Sequence, residues 1–211
     1  MVYAFPQKIA ELGGRELQSV ADMYSLDFDW SSKGNILIHP QPICRIIIEL
    51  FEQSSPLACE NFEAFCTGSH GKSKVSGLPL HYKNVKFHRV VPGFIAQGGD
   101  FVMQNGTGGE SIWGKKFKDD KGGLSRKHDR IGIVSMCNSG KNSNTCQFFF
   151  TLRPSCPQLD SKHVVFGQIV SGLEVLDMMC EAAGNSPDNI PEQDIIITEC
   201  GLWTPDMPSQ G

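Results

Sequence analysis

The chain has no long hydrophobic run. None approaches the roughly 20 residues that a membrane span requires, so no membrane partner is expected. A block of lysine and arginine is also missing. The 19 basic residues are outnumbered by 23 acidic ones, for a net charge of −4, and nothing forms the basic stripe that nucleic acid needs. The first residues, from Met1 to Lys8, lack a signal-peptide layout. A cytoplasmic address is therefore expected, with the nucleus or a cytoskeletal assembly as alternatives. Eight cysteines in 211 residues are too dilute for a disulfide scaffold, and none forms a Cys-x-x-Cys pair. No His/Cys/Asp cluster has ligand spacing, so neither a metal nor a cofactor is expected. Gly106-Thr107-Gly108-Gly109 is glycine-rich but lacks the Gly-Lys-Ser/Thr ending of a phosphate loop, and it reads as a turn. There is no internal repeat and no low-complexity tract.

What is present begins with residues 87–101. The run Phe87-His88-Arg89-Val90-Val91-Pro92-Gly93-Phe94-Ile95-Ala96-Gln97 sets one cation and one carboxamide among apolar side chains. If the segment is extended, burying it carries the Arg89 guanidinium toward an apolar concavity. An arginine there either pairs with a structural carboxylate or faces a ligand. A second segment, Ser135 to Phe150, is a polar loop rich in turn formers that runs into an apolar strand. Alternation along that strand puts Phe148 and Phe149 on opposite faces. Cys146 has no helix start beside it to lower its pKa and is not expected to be a catalytic thiol.

Residues 1–34 differ in texture from the rest. Gln7 to Met23 has helix-compatible spacing at Ile9, Leu12, Leu17 and Val20, broken by Gly13-Gly14. From Asn35 the chain becomes short apolar runs punctuated by Gly, Pro and Asn. The pattern predicts a hairpin of Ile36–Ile38 with Arg45–Phe51, then strands at Val85–Arg89, Phe94–Gly98, Ile131–Met136, Gln147–Thr151, Val164–Ile169 and Asp194–Cys200. Helices are expected over Pro56–Cys66, where Pro56 suits a first turn and Gly68 a stop, and over Leu173–Cys180. The expected fold class is mainly β: a closed eight-stranded antiparallel β-barrel capped by two α-helices, since closure removes exposed edges. The expected organisation is an extension over 1–34, one domain over 35–203, and a tail over 204–211.

The 87–101 and 135–150 segments, together with Gln158-Leu159-Asp160-Ser161-Lys162-His163-Val164-Val165-Phe166-Gly167, resemble the cyclophilin family of peptidyl-prolyl cis/trans isomerases, in order, from about Arg45 to Trp203. The resemblance implies the same barrel and acceleration of X-Pro rotation in proline-containing peptide or protein segments. It implies that Arg89 is the catalytic donor and that Gln97 orients Arg89 or bonds the substrate carbonyl. The proline socket it implies is walled by Phe94, Ile95, Phe149 and Leu159, with His163 at the rim. Asn138 would offer backbone groups to the residue before proline, and Cys137 would border the pocket upstream of it. Since isomerisation transfers no proton, His88 is read as structural.

The chain departs from the family in places. Gln158 stands where an aromatic or His is usual, which weakens the cyclosporin binding that the resemblance implies, and the 152–157 loop is one residue longer. Cys137 and Ser139 replace small alanines. Gly68 to Pro79 resembles the extra loop of divergent-loop cyclophilins, which implies a redox pair of Cys66 and Cys200 and a loop anchor at Glu110. The alternatives are two buried thiols, and for the whole protein a weakly active or inactive binding module or a subunit of a larger assembly. A monomer is expected unless residues 1–34 bind a partner.

Overall fold

The computed structural model describes residues 44–203 and the single position Leu26. The stretch over Gln7–Met23, open between a weak helix and a loose extension, the strand over Ile36–Ile38 and the tail over 204–211 lie outside the described residues. The chain divides after Cys44 into two units, and the fold below is that of the second. No helix among the described residues is long and apolar enough to cross a membrane.

The architecture is mainly β. Six antiparallel strands form one sheet in the order β1-β7-β5-β6-β4-β3. They are β1 Ile47–Leu50, β3 Arg89–Val91, β4 Ile95–Gly98, β5 Ile133–Met136, β6 Phe148–Thr151 and β7 Val165–Ser171. A separate two-stranded ribbon pairs β2 Val85–Lys86 with β8 Ile196–Ile197. Among the described residues β1 and β3 are the outer strands and no ladder joins them. Among the described residues the sheet is not closed, and of the closed eight-stranded barrel expected from the sequence six strands share it.

Part of that difference comes from residues 85–91, expected as one strand. The segment changes partner midway, because Val85 and Lys86 pair with β8 whereas Arg89 to Val91 pair with β4. Phe87 and His88 form the corner. Of the long last strand expected over Asp194–Cys200, only Ile196–Ile197 pairs.

Helix α1, Pro56–Thr67, starts on a proline whose missing N–H costs nothing in a first turn and stops at Gly68, at φ +66°, where a left-handed residue ends a helix cheaply. Its first free N–H groups, on Leu57 and Ala58, donate to the Asp120 carboxylate at 3.4 and 3.0 Å. The adjacent Ser55 hydroxyl instead donates to Val165 O at 2.7 Å. Helix α3 runs over Glu174–Ala183 and buries Leu176, Met179 and Ala183. A third helix, α2 at Lys121–Ser125, corrects the expectation of two. Its Gly122 and Gly123 hide it from propensity, yet a Cβ on either would come within 2.4 Å of Ser54 O or Ser55 Oγ. Close approach, not flexibility, explains these glycines. A 3-10 turn covers Pro157–Leu159.

The main core lies on one face of the sheet. Val90, Ala96, Val134, Phe148 and Phe150 from the strands meet Phe62 and Phe65 of α1 and Met179 of α3. Burying each phenylalanine contributes about 2–3 kcal/mol. Alternation sends the intervening side chains to the other face, where Ile95, Phe149, Leu159 and Cys156 form a second, smaller cluster bordered by Phe94 and Cys137.

Candidate active site

Strand register alone brings the sequence-selected residues into one row. Arg89 pairs with Gln97 across β3 and β4, Gln97 with Phe149 across β4 and β6, and Phe149 with Ser135 across β6 and β5. Directly opposed residues share a face and neighbouring strands lie about 4.8 Å apart, so the row spans roughly 14 Å. Its outer end is the edge strand β3, reached through the Pro92-Gly93 turn, where Gly93 sits at φ +71°.

Arg89 is half-buried. Among the described residues it joins none of the ion pairs, which are Lys83–Glu199, Lys86–Asp194, Lys127–Asp160, His128–Asp160 and Arg130–Asp129. Pairing with a structural carboxylate, one of the two roles open from the sequence, is not what these residues do. A cation flanked by apolar strands without a partner is set to receive a ligand acceptor.

Gln97 is oriented by a relay that the sequence did not reveal. Its Nε2 donates to Gln147 Oε1 at 2.9 Å, and Gln147 Nε2 donates to Gly108 O at 2.6 Å and Gly106 O at 3.1 Å. Gln147 stands two residues before Phe149, so alternation could have placed it on this face. The glycine turn is itself built on Asp100, which is fully buried and accepts N–H groups from Val102, Met103, Gly106 and Gly108 at 2.9–3.2 Å. Burial pushes the Asp100 carboxyl up, but the backbone donors outweigh it and hold the group below the usual range. Gln97 makes no hydrogen bond to Arg89 among the described residues.

The apolar side of the row holds the expected socket residues. Ile95, Phe149 and Leu159 are buried together, with Phe94 and Cys137 packed against them. His163 meets the Phe149 ring edge-on, with centroids 5.4 Å apart at 85°. Its Nδ1 is 3.0 Å from Met136 O, and burial lowers its pKa. The Asn138 side chain is occupied locally: Nδ2 donates to Lys162 O at 2.7 Å and Oδ1 accepts from Gly140 N at 3.2 Å. No hydrogen bond engages its backbone N–H or C=O among the described residues. Gln158 is exposed on the turn before Leu159. Burial raises the Cys137 thiol well above the usual range.

His88 is buried, and neither ring nitrogen has a partner among the described residues. Burial lowers its pKa.

Cys66 and Cys200 lie on the core side of the sheet, away from the row. They are thiols, not a disulfide. The interaction between the two thiols pushes Cys66 well above the ordinary thiol range and holds Cys200 below it. Cys200 Sγ is also 3.5 Å from His81 Nδ1. Glu110 is buried and accepts the Ser73 hydroxyl at 2.6 Å, while Ser73 Oγ accepts the N–H groups of Val75 and Ser76. A glutamate thus anchors the 68–79 loop. No three His, Cys, Asp or Glu side chains converge on a metal position among the described residues.

The geometry is a wall with a cation that has no partner among the described residues at one end and an apolar socket at the other, joined by an oriented carboxamide. It fits a reaction driven by binding a distorted substrate. Residues 38–202 match the family profile described as cyclophilin type peptidyl-prolyl cis-trans isomerase/CLD. A protein of Rhizopus delemar named a peptidyl-prolyl cis-trans isomerase is 51% identical over 166 residues, which cover 79% of this chain and 48% of that protein. The chain thus spans about half the length of the curated relative it matches.

Proposed function

Because the chain belongs to the cyclophilin-type peptidyl-prolyl cis-trans isomerase family, we propose that it accelerates rotation about X-Pro bonds in protein segments, with Arg89 stabilising the twisted state. The observation that carries this is the half-buried Arg89, without a partner among the described residues and in register with Gln97 and Phe149.

Amide resonance sets a barrier of about 18–20 kcal/mol to rotation. Twisting breaks conjugation and leaves a lone pair on the proline nitrogen. A fixed donor aimed at that nitrogen favours the twisted state over both planar isomers, and so lowers the barrier without a covalent intermediate. A guanidinium suits this because it is always charged, rigid and weakly hydrated. The proline ring enters the socket of Phe94, Ile95, Phe149 and Leu159, with His163 at its rim. The free backbone groups of Asn138 hold the residue before proline, and Cys137 narrows the pocket upstream. Gln97, fixed by Gln147, turns its remaining oxygen toward the peptide. Lowering the barrier by about 7 kcal/mol gives roughly a hundred-thousand-fold acceleration.

The isomerase domain over 35–203, the extension over 1–34, the closed barrel, a monomeric state and a cytoplasmic address belong to the same reading. So does membership of the divergent-loop subgroup, which the Ser73–Glu110 anchor and the apposed Cys66 and Cys200 support. In that case a peroxide takes two electrons and both thiol protons from Cys66 and Cys200, leaving a disulfide and two waters. A second reading, a proline-segment binding module with little turnover, is favoured by Gln158 at the rim, where cyclosporin binding also weakens.

Exchange NMR on a short Xaa-Pro peptide separates the two readings. Cross-peaks between cis and trans forms at catalytic protein concentrations support the isomerase. Shift changes from binding without accelerated exchange support the binding module.

A further inference from the structure

His128 belongs to none of the motifs that single out the groove, yet it touches both of its apolar walls. It is 1% exposed. Its Nδ1 lies 3.0 Å from Asp160 Oδ1, and its backbone N–H donates to the same oxygen at 2.9 Å. Its C=O accepts the Cys156 N–H at 2.8 Å. These bonds grip the two ends of the Cys156–Asp160 segment that carries Leu159. On the other side, Nε2 lies 3.1 Å from Ser135 Oγ, the inner end of the row. The imidazole stacks on Phe149, with centroids 5.8 Å apart and planes 17° apart.

Burial lowers the pKa of His128 and so favours the neutral ring. Asp160, which also pairs with Lys127 at 3.3 Å, is an acceptor, so the proton sits on Nδ1. Val164 O already accepts the Met136 N–H at 2.9 Å. Its second lone pair can accept the Ser135 hydroxyl at 3.0 Å, and a ring with its proton on Nδ1 offers Nε2, at 3.1 Å, as the other acceptor of that hydroxyl. The order Ser135–His128–Asp160 is that of a hydrolase triad, but Ser135 is fully buried, and a nucleophile without access to substrate does no chemistry.

We propose that His128 is the positioning residue of the proline socket. One imidazole fixes the Phe149 wall against the Leu159 turn, so it governs how tightly a proline is held, while Arg89 governs how fast the bond turns. This rests on the isomerase reading above. It follows from the general requirement that site residues be locked by a supporting shell, because a wall that is loose by about 1 Å loses much of its grip.

The test uses the full chain. His128→Gln removes the stacked ring, and His128→Phe keeps a ring but removes the bonds to Asp160 and Ser135. Asp160→Asn, at the partly exposed end of the clamp, is the mild variant that serves if the other two fail to fold. Exchange NMR at several Xaa-Pro peptide concentrations gives kcat and KM, and aromatic NMR of Phe149 reports whether its ring holds one rotamer. The expected result is a KM raised about tenfold in both His128 variants and about threefold in Asp160→Asn, with kcat within about threefold of wild type, and a Phe149 ring that becomes rotamer-averaged. Folded variants with unchanged KM and an unchanged Phe149 ring overturn the proposal, as does a fall in kcat at constant KM. If the wild type neither turns over nor binds the peptide, the isomerase reading fails. The Phe149 ring then decides the positioning role by itself: averaging in the variants upholds it, and an unchanged ring overturns it.

Discussion

Arg89 stands at the outer end of the row and His128 packs beside its inner end, against Ser135 and Phe149, and the fold treats them in opposite ways. Arg89, on the edge strand, is half-buried and lacks a partner among the described residues. His128, beside the inner end, is 1% exposed and engaged by Asp160, Ser135 and Phe149. Buried polar groups are normally satisfied, so the satisfied imidazole belongs to the scaffold. The guanidinium, half-buried and outside every ion pair among the described residues, is where the scaffold stops.

The largest expected effect breaks the comparison at its outer end. Arg89→Ala should lower kcat/KM by about a hundred- to a thousandfold, the cost of losing a transition-state donor. Stability should stay within about 0.5 kcal/mol, because no bonded partner is orphaned. Urea unfolding alongside the kinetics checks both halves. A large loss of stability would mean that Arg89 has a structural role after all.

Asp100 sharpens the contrast, since it is a charged group on the Arg89 side that is fully satisfied. Asp100→Asn should cost about 2 kcal/mol in urea unfolding, because the amide nitrogen cannot accept the N–H groups that the carboxylate takes. Activity should fall less than in Arg89→Ala, through loosening of the Gly106–Gly108 turn and hence of Gln147 and Gln97.

How much of this was legible in the sequence follows the same division. Arg89, Gln97 and the Phe148/Phe149 alternation could be read because each depends on local pattern, and so could α1, with Pro56 and Gly68 at its ends. His128 could not, since its partner Asp160 lies 32 residues away and a Lys-His-Asp run reads as exposed. Gln147 is within reach by alternation from Phe149, two residues on. Helix α2 was hidden by glycines whose reason is the nearness of Ser54 and Ser55. The break at Phe87–His88 depends on which distant strand pairs with each half, and local spacing carries no such information.

A gentler effect tests the buried side of the comparison by pH. Burial lowers the pKa of His88, His128 and His163, so the folded chain prefers them neutral. Below about pH 6.5 the unfolded chain binds more protons, and stability is full above that value and lost as pH falls through it. Urea midpoints should hold steady from about pH 8 to 7 and decline toward about pH 5.5, ahead of the carboxylates. A constant midpoint over that range would contradict the buried, neutral histidines.

The smallest effect lies off the row. Ser73→Ala removes the hydroxyl that Glu110 accepts and should cost about 1 kcal/mol of stability, with isomerisation of a short peptide unchanged. A change in kcat would tie the 68–79 loop to the groove.

The most direct test of the central claim compares wild type, Arg89→Ala and Arg89→Lys by exchange NMR on one Xaa-Pro peptide, with turnover and peptide affinity measured separately. The predicted result is rapid exchange in the wild type, nearly abolished in Arg89→Ala and only partly restored by lysine, while affinity changes by less than about tenfold. Equal exchange rates in wild type and Arg89→Ala would contradict the claim that this unpaired guanidinium drives the rotation.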